Sequence, residues 1–209
     1  MSKMIAELMS TLGYYLLPRY ILIFGGRIRH EGDELILAYN RKRLIFKYLP
    51  WAAYPLNEVF VKEIYGRLNV KGKVVVDVGA SIGDTAIYFS LRGAKHVYGF
   101  EVNSQRWELG RENLRKNSIR NATIYLSPFK PSMVKQKASV LKVDCEGCEY
   151  PLFNRLGAGL RNFDQIIVEY HAGSAELSKR LSSLGFEIEF LTPKNRQLGV
   201  MLATKGKRS

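Results

Sequence analysis

Apolar positions recur along this chain with two periods. Near the start, Met4, Ile5, Leu8, Met9 and Leu12 return at helical spacing. Glu34–Tyr39 and Arg43–Tyr48 are apolar-rich runs around Asn40, Arg41 and Lys42, the pattern of a β-hairpin. Pro50 closes this first stretch. Pro55–Leu68 reads as a helix, because proline suits a first turn and Leu56, Val59, Phe60, Ile64 and Leu68 line one face. Lys71 and Gly72 form a turn.

From Lys73 the pattern alternates. Lys73–Val78, His96–Glu101, Ala122–Leu126, Val140–Val143 and Gln165–Glu169 are continuous apolar runs that predict strands. Four predicted helices accompany them, three between strands and one after the last. Asp84–Arg92 stops at Gly93, and a helix capped by Ser104 runs to about Asn117. A short one surrounds Leu152–Leu156, and Ser174–Leu184 stops at Gly185. Such strands, alternating with helices, belong to a parallel sheet covered on both faces. Phe186–Leu191 and Leu198–Thr204 are separated only by Thr192–Gln197. That link is too short for a parallel crossover, so the last two strands form an antiparallel hairpin. Residues 1–53 read as an N-terminal accessory lobe of helix plus hairpin, and residues 54–209 as the main domain.

Composition narrows the picture. The 209 residues allow one domain plus a small addition, and 46% hydrophobic with 24% charged residues can build a core. Two cysteines exclude a disulfide scaffold and suggest a reducing compartment. No early apolar run approaches the ~20 residues of a membrane span. Arg19 ends the run Leu8–Pro18, and Glu7 breaks a signal-peptide pattern, so a cytoplasmic chain is expected. Leu12–Phe24, with Tyr14, Tyr15, Tyr20 and Phe24, is expected to pack on the domain; the alternative is a peripheral membrane contact. Lys and Arg number 32 against 19 Asp and Glu, a net charge of +13. That surplus invites an anionic partner.

Candidate chemistry collects where ligands of open α/β sheets bind, at the carboxyl ends of strands. After the first parallel strand comes Asp77-Val-Gly79-Ala80-Ser81-Ile-Gly83, whose glycines permit a sharp turn. The dinucleotide fingerprint G-x-G-x-x-G is absent. Glu101 ends the second strand, 24 residues beyond Asp77, where an acid can hold ribose hydroxyls. Together these suggest a nucleoside-bearing cofactor without a pyrophosphate. Asp144, Glu146 and Glu149 follow the fourth strand, and Glu169 and His171 the fifth. Three carboxylates so close are costly to hold unless they bind something or stay solvated. Cys145-x-x-Cys148 matches half a zinc site or a redox pair. With no second cysteine pair it is read as filling variable positions, and no metal is expected.

A parallel sheet closed by a hairpin is the layout of Rossmann-like methyltransferases. The motifs V-D-V-G-A-S-I-G-D-T-A-I-Y-F at 76–89, G-F-E-V-N at 99–103, L-K-V-D-C-E-G-C-E at 141–149 and V-E-Y-H at 168–171 resemble the FkbM family. The resemblance runs from about Tyr54 to Thr204. It implies an α/β Rossmann-like fold with a mostly parallel seven-stranded sheet and a small N-terminal α+β extension. It also implies S-adenosyl-L-methionine as cofactor and O-methylation of a hydroxyl on a sugar or small metabolite. Carried over, Asp77, Gly79, Ala80, Ser81 and Gly83 surround the methionine part. Glu101 holds the ribose with Asn103 beside it, and Asp144, Glu146 and His171 face the transferred methyl. A hydroxyl needs a base, and His171, titrating near neutral pH, is the first candidate, Asp144 the second.

Two departures stand out. Ser127-Pro128 occupies the place of an acid that often contacts the adenine amine. The link Ser127–Ser139 must cross roughly 14 Å at about 4.8 Å per strand, which thirteen extended residues cover without the usual helix. Other readings remain. Ser81, Asp144 and His171 stand in the order of an α/β serine hydrolase. An RNA methyltransferase accounts for the charge, and a binding module without chemistry is a third. The stretch from Arg106 to Lys142 holds nine basic residues and two acids, while seven acids fall at strand ends. The expected partners are therefore a small-molecule or glycan acceptor at an acidic pocket and an anionic partner, RNA or acidic lipid, on the basic flank 106–142.

Overall fold

Strand β1 (Ile28–Glu31) opens the part of the chain that the computed structural model describes, namely residues 28–49, 51–192 and 197–206. The helical run Met4–Leu12, the aromatic stretch Leu12–Phe24 and Pro50 lie outside the described residues. β1 pairs antiparallel with β2 (Glu34–Tyr39), and β2 with β3 (Lys42–Lys47). Asn40 and Arg41 both take positive φ, 47° and 62°, as a tight two-residue hairpin turn requires. The hairpin is therefore a three-stranded meander. β1 escapes a pattern search because three of its four residues are polar and exposed.

The helix expected over Pro55–Leu68 is shorter and starts earlier. α1 (Ala53–Leu56) continues as a π-helical turn, Asn57–Val61. Glu63, with φ of 50°, then breaks the helical path. The apolar face survives the break, since Leu56, Val59, Phe60 and Leu68 are all buried.

The alternating part follows as β4 (Val74–Val78), α2 (Asp84–Leu91), β5 (His96–Glu101), α3 (Ser104–Lys116), β6 (Ala122–Leu126), β7 (Val140–Val143), α4 (Glu149–Leu156), β8 (Gln165–Tyr170) and α5 (Ala175–Ser183). β9 (Phe186–Phe190) and β10 (Gly199–Lys205) close the sheet. The cap of α3 is Asn103 rather than Ser104: its Oδ1 accepts the Arg106 N–H at 3.0 Å. In the link before β7 the only helical piece is a 3-10 turn, Pro131–Met133.

The sheet order is β6-β5-β4-β7-β8-β10-β9. β4 to β8 are parallel, and β10 runs antiparallel to both β8 and β9. One sheet face carries Val75, Val97, Val140 and Ile167 against α1, α2 and the meander residues Ile28, Leu35 and Phe46. The other carries Val76, Phe100, Leu141 and Val168 against Leu152, Phe153 and Leu177. The meander is also tied to α3, where Asn113 Oδ1 accepts Lys47 N–H at 3.0 Å and Asn117 Oδ1 accepts Ile45 N–H at 2.9 Å. Strand order reverses between β4 and β7, so their carboxyl ends form the crevice of the fold. No helix among the described residues is long and apolar enough to cross a membrane.

Candidate active site

The turn after β4 sets the floor of the crevice. Gly79 has φ of 81°, and a Cβ there would lie 1.7 Å from the Asp144 carbonyl oxygen, so only glycine lets this turn touch the loop after β7. Ala80 is buried. Ser81 takes φ of 44°. Gly83 precedes α2 and packs on Gly110 of α3. Glu101 clasps this turn. Its Oε2 accepts the Ser81 N–H at 2.9 Å, and its Oε1 accepts the N–H groups of Val102 and Asn103 at 2.8 Å each. Asn103, placed beside the ribose by resemblance, uses its Oδ1 as the helix cap.

Asp77 lies beneath the cradle rather than on it. It is fully buried, with Thr85 Oγ1 donating to Oδ2 at 2.5 Å and Lys142 Nζ 3.0 Å from Oδ1. Lys142 also donates to the Gly79 carbonyl at 2.9 Å and stands 3.8 Å from Asp144 Oδ2. Burial works against its charge, but the carboxylates of Asp77, Asp144 and Asp84 outweigh it and hold the ammonium above the ordinary lysine range. The basic flank thus loses one member, for Lys142 is an internal ion-pair partner. Lys116 is likewise bound, to Glu34 and Glu112.

Beside this pair, Tyr65 donates its hydroxyl to Asp144 Oδ2 at 2.9 Å. Glu169 projects from β8 in the same region. Burial first, then the charges of Asp144 and Glu58, push its carboxyl up to about 7. Asp144, Glu169 and His171 each bring one ligand-capable atom within 4.8 Å of the others, a spacing that could surround a small cation. Glu146 remains exposed, 3.6 Å from His171 Nε2.

His171 differs from its expected role. Its Nδ1 lies 3.0 Å from Oε1 of the buried Glu149, which also accepts the His171 backbone N–H at 2.9 Å. The hydrogen bond to Glu149, against burial and with the charges of Glu149, Glu146 and Asp144, raises the imidazole to about 9. This favours the imidazolium at neutral pH and weakens His171 as a proton acceptor. Spacing alone shows a histidine at a strand end but not its carboxylate partner 22 residues away. The hydrolase triad is not assembled either. The Nδ1 partner is Glu149 rather than Asp144, and no hydrogen bond joins Ser81 to His171 among the described residues.

The cysteines also depart from expectation. Cys145 and Cys148 form a disulfide, with Cα atoms 5.4 Å apart. Glu146 and Gly147 take positive φ, 56° and 106°, which curls the loop and brings the two sulfurs together. Lys142 and Tyr65 are residues that the motif reading passed over, while Glu169 and Asp84 stood there only among the strand-end acids. Asp84 sits at the start of α2, and its Oδ1 is buried without a hydrogen-bond partner among the described residues. Burial, with Asp77 and Asp144 adding to it, pushes its carboxyl up to about 7 against the pull of Lys142. Val102 (70% exposed) and Leu126 (46% exposed) present apolar side chains at the neighbouring ends of β5 and β6.

No family model matches the chain. Uncharacterized protein 65 of Sulfolobus islandicus filamentous virus is 32% identical over 128 residues, covering 58% of this chain and 69% of that protein. Uncharacterized protein 158B of Sulfolobus islandicus rod-shaped virus 1 is 29% identical over 135 residues, 64% of this chain and 83% of that protein. The ribosomal protein L11 methyltransferase of Photorhabdus laumondii is 29% identical over 77 residues, which cover 36% of this chain and 26% of that enzyme. Among solved structures, a putative tRNA (m1A22) methyltransferase of Streptococcus pneumoniae superposes with a TM-score of 0.56 at 16% identity, covering 71% of each chain. M. jannaschii TYW2 in complex with AdoMet superposes with a TM-score of 0.55 at 18% identity, covering 84% of this chain and 87% of that one. These likenesses establish a Rossmann-like methyltransferase fold with its terminal antiparallel hairpin.

Proposed function

The chain belongs to the family of uncharacterized protein 65 of Sulfolobus islandicus filamentous virus, and from its likeness to methyltransferases we propose that it is an S-adenosyl-L-methionine-dependent methyltransferase whose acceptor is a hydroxyl. The crevice suits the cofactor. Asp84 Oδ1 is an orphaned buried acceptor that the cofactor's ammonium would satisfy. Gly79, Ala80, Ser81 and Gly83 would hold the methionine part, Glu101 the ribose, and Val102 and Leu126 the adenine. Bound there, the cofactor supplies an electrophilic methyl group.

The chain's own part is to orient the acceptor and remove its proton. One observation carries the hydroxyl reading: a half-buried Glu169 within 4.8 Å of Asp144 and His171, its carboxyl held at about 7. A carboxylate poised near neutrality is matched to accept a hydroxyl proton. Asp144 is already engaged by Tyr65 and Lys142, and serves to orient. The imidazolium of His171 donates a hydrogen bond and balances the acids. The resemblance to the FkbM family supports a sugar or small-metabolite hydroxyl.

A second reading has its own support. The net charge of +13 and the printed name of the S. pneumoniae neighbour favour an RNA acceptor. Transfer of labelled methyl from the cofactor, assayed in parallel on RNA and on sugar and metabolite hydroxyls, separates the two. Glu169→Gln is expected to lower kcat on a hydroxyl acceptor by about 10²–10⁴-fold while leaving cofactor affinity unchanged. Absence of cofactor binding in a calorimetric titration of the wild type overturns the whole proposal.

A further inference from the structure

Away from the carboxyl ends of the strands, α3 and the edge strand β6 flank an open groove of ≈ 460 Å³. Arg111, Arg115 and Arg120 line its rim, and Leu114 and Ile119 its floor. All three arginines are exposed, and none is within ion-pair distance of a carboxylate among the described residues. Lys116, on the same helix, is by contrast paired with Glu34 and Glu112. The guanidinium of Arg111 lies 4.8 Å from the Trp107 ring centroid, which holds it in place without neutralising it.

We propose that this groove binds the phosphodiester backbone of a single-stranded RNA. Guanidinium forks fit phosphate oxygens two at a time, and Arg111 and Arg115, four apart on a helix, present neighbouring forks. An apolar floor under a cationic rim accommodates a nucleoside with its phosphate, whereas a bare phosphate would leave most of the recess empty. A bilayer surface is flat and would not fill a recess of this size. The direction of α3 completes the case. The helix begins beside Glu101 and carries Arg111 and Arg115, on one face, away from it. At ~1.5 Å per residue, Arg115 is about 16 Å from the helix start, the reach of a few nucleotides. One strand lying along α3 therefore occupies the groove and still delivers a nucleotide to the crevice. The inference rests on the RNA reading of the acceptor.

Fluorescence anisotropy with a labelled single-stranded RNA of about ten nucleotides, measured between about 50 and 200 mM salt, tests it. The wild type is expected to show steep salt dependence. Arg111→Gln/Arg115→Gln/Arg120→Gln should reduce the log–log slope by about 2, from three phosphates at ~0.7 each, and weaken binding at least about tenfold. Its melting temperature and its cofactor affinity should not change. Arg115→Glu alone, at an exposed position, provides a milder variant should the triple one fold poorly. Unchanged affinity and slope in the folded variants overturn the proposal, as does binding to phosphatidylserine vesicles with none to RNA. RNA binding that needs these arginines, without methylation of the RNA, supports the groove and removes only the RNA acceptor from the function.

Discussion

Lys142 holds three parts of the crevice at once: the Asp77 carboxylate, the Gly79 carbonyl and the charge of Asp144. It lies inside the apolar strand run Val140–Val143, where a pattern search sees only strand, so its role was not legible in the sequence. The seven acids at strand ends were legible as a cluster, but the buried cation that makes the cluster tolerable was not. His171 was legible as a position, but the contact with Glu149 that raises its pKa was not, because only the fold creates it. Asp84 shows the reverse case, a buried carboxylate whose Oδ1 has no hydrogen-bond partner among the described residues. Lys142, Asp77 and Asp144 face it, and its folded pKa of about 7 exceeds the unfolded value of 3.8. The folded state therefore holds the proton more tightly than the unfolded chain. Stability from this group is fully present below about pH 4 and falls as pH rises through 7. In the proposed placement the cofactor's ammonium would pair with the ionised form, so cofactor affinity should rise between about pH 6 and 8. Asp84→Asn should flatten both dependences, measured by calorimetry and by melting across pH; an unaltered pH profile in the variant would show that Asp84 does not face the cofactor.

Element boundaries followed the clarity of their patterns. β5, β6 and β7 begin and end where the apolar-rich runs do. The helix after Pro55 broke early because Glu63 turns out of the helical region, a backbone choice that apolar periodicity does not encode. The two loops of the crevice depend on each other through a single glycine. At Gly79, an added Cβ meets the Asp144 carbonyl at 1.7 Å, and that oxygen belongs to backbone that must move as a unit. Gly147, in the facing loop, has nothing within 4 Å of its Cβ position. Gly79→Ala should therefore displace the Asp144 loop and weaken cofactor binding by well over tenfold. Gly147→Ala should cost only backbone strain, about 1–2 kcal/mol, with cofactor affinity kept. Calorimetric titrations of both variants compare them directly, and similar affinities would show that the contact between the loops does not shape the site.

At the scale of the molecule, the N-terminal meander and the methyltransferase sheet share one apolar core. Phe46 of β3 is fully buried and stands 5.9 Å, ring to ring, from Phe60 of the π-helical turn. Phe60 in turn meets Tyr88 of α2 at 5.5 Å. A lobe that merely hung from the domain would carry its own core and melt alone. These contacts join residues on both sides of position 53, so the boundary drawn there from the sequence separates elements rather than folding units. Phe46→Ala removes a buried ring at this junction and is expected to cost about 3–5 kcal/mol. For a chain of this length that lowers the melting temperature by roughly 6–20 °C, at 2–4 °C per kcal/mol. The transition should stay single and shift as a whole, since unfolding the meander strips cover from α2 and from one sheet face. Calorimetric melting distinguishes the cases: a second, earlier transition in the variant with the main one unmoved would mean that the meander folds apart from the sheet it covers.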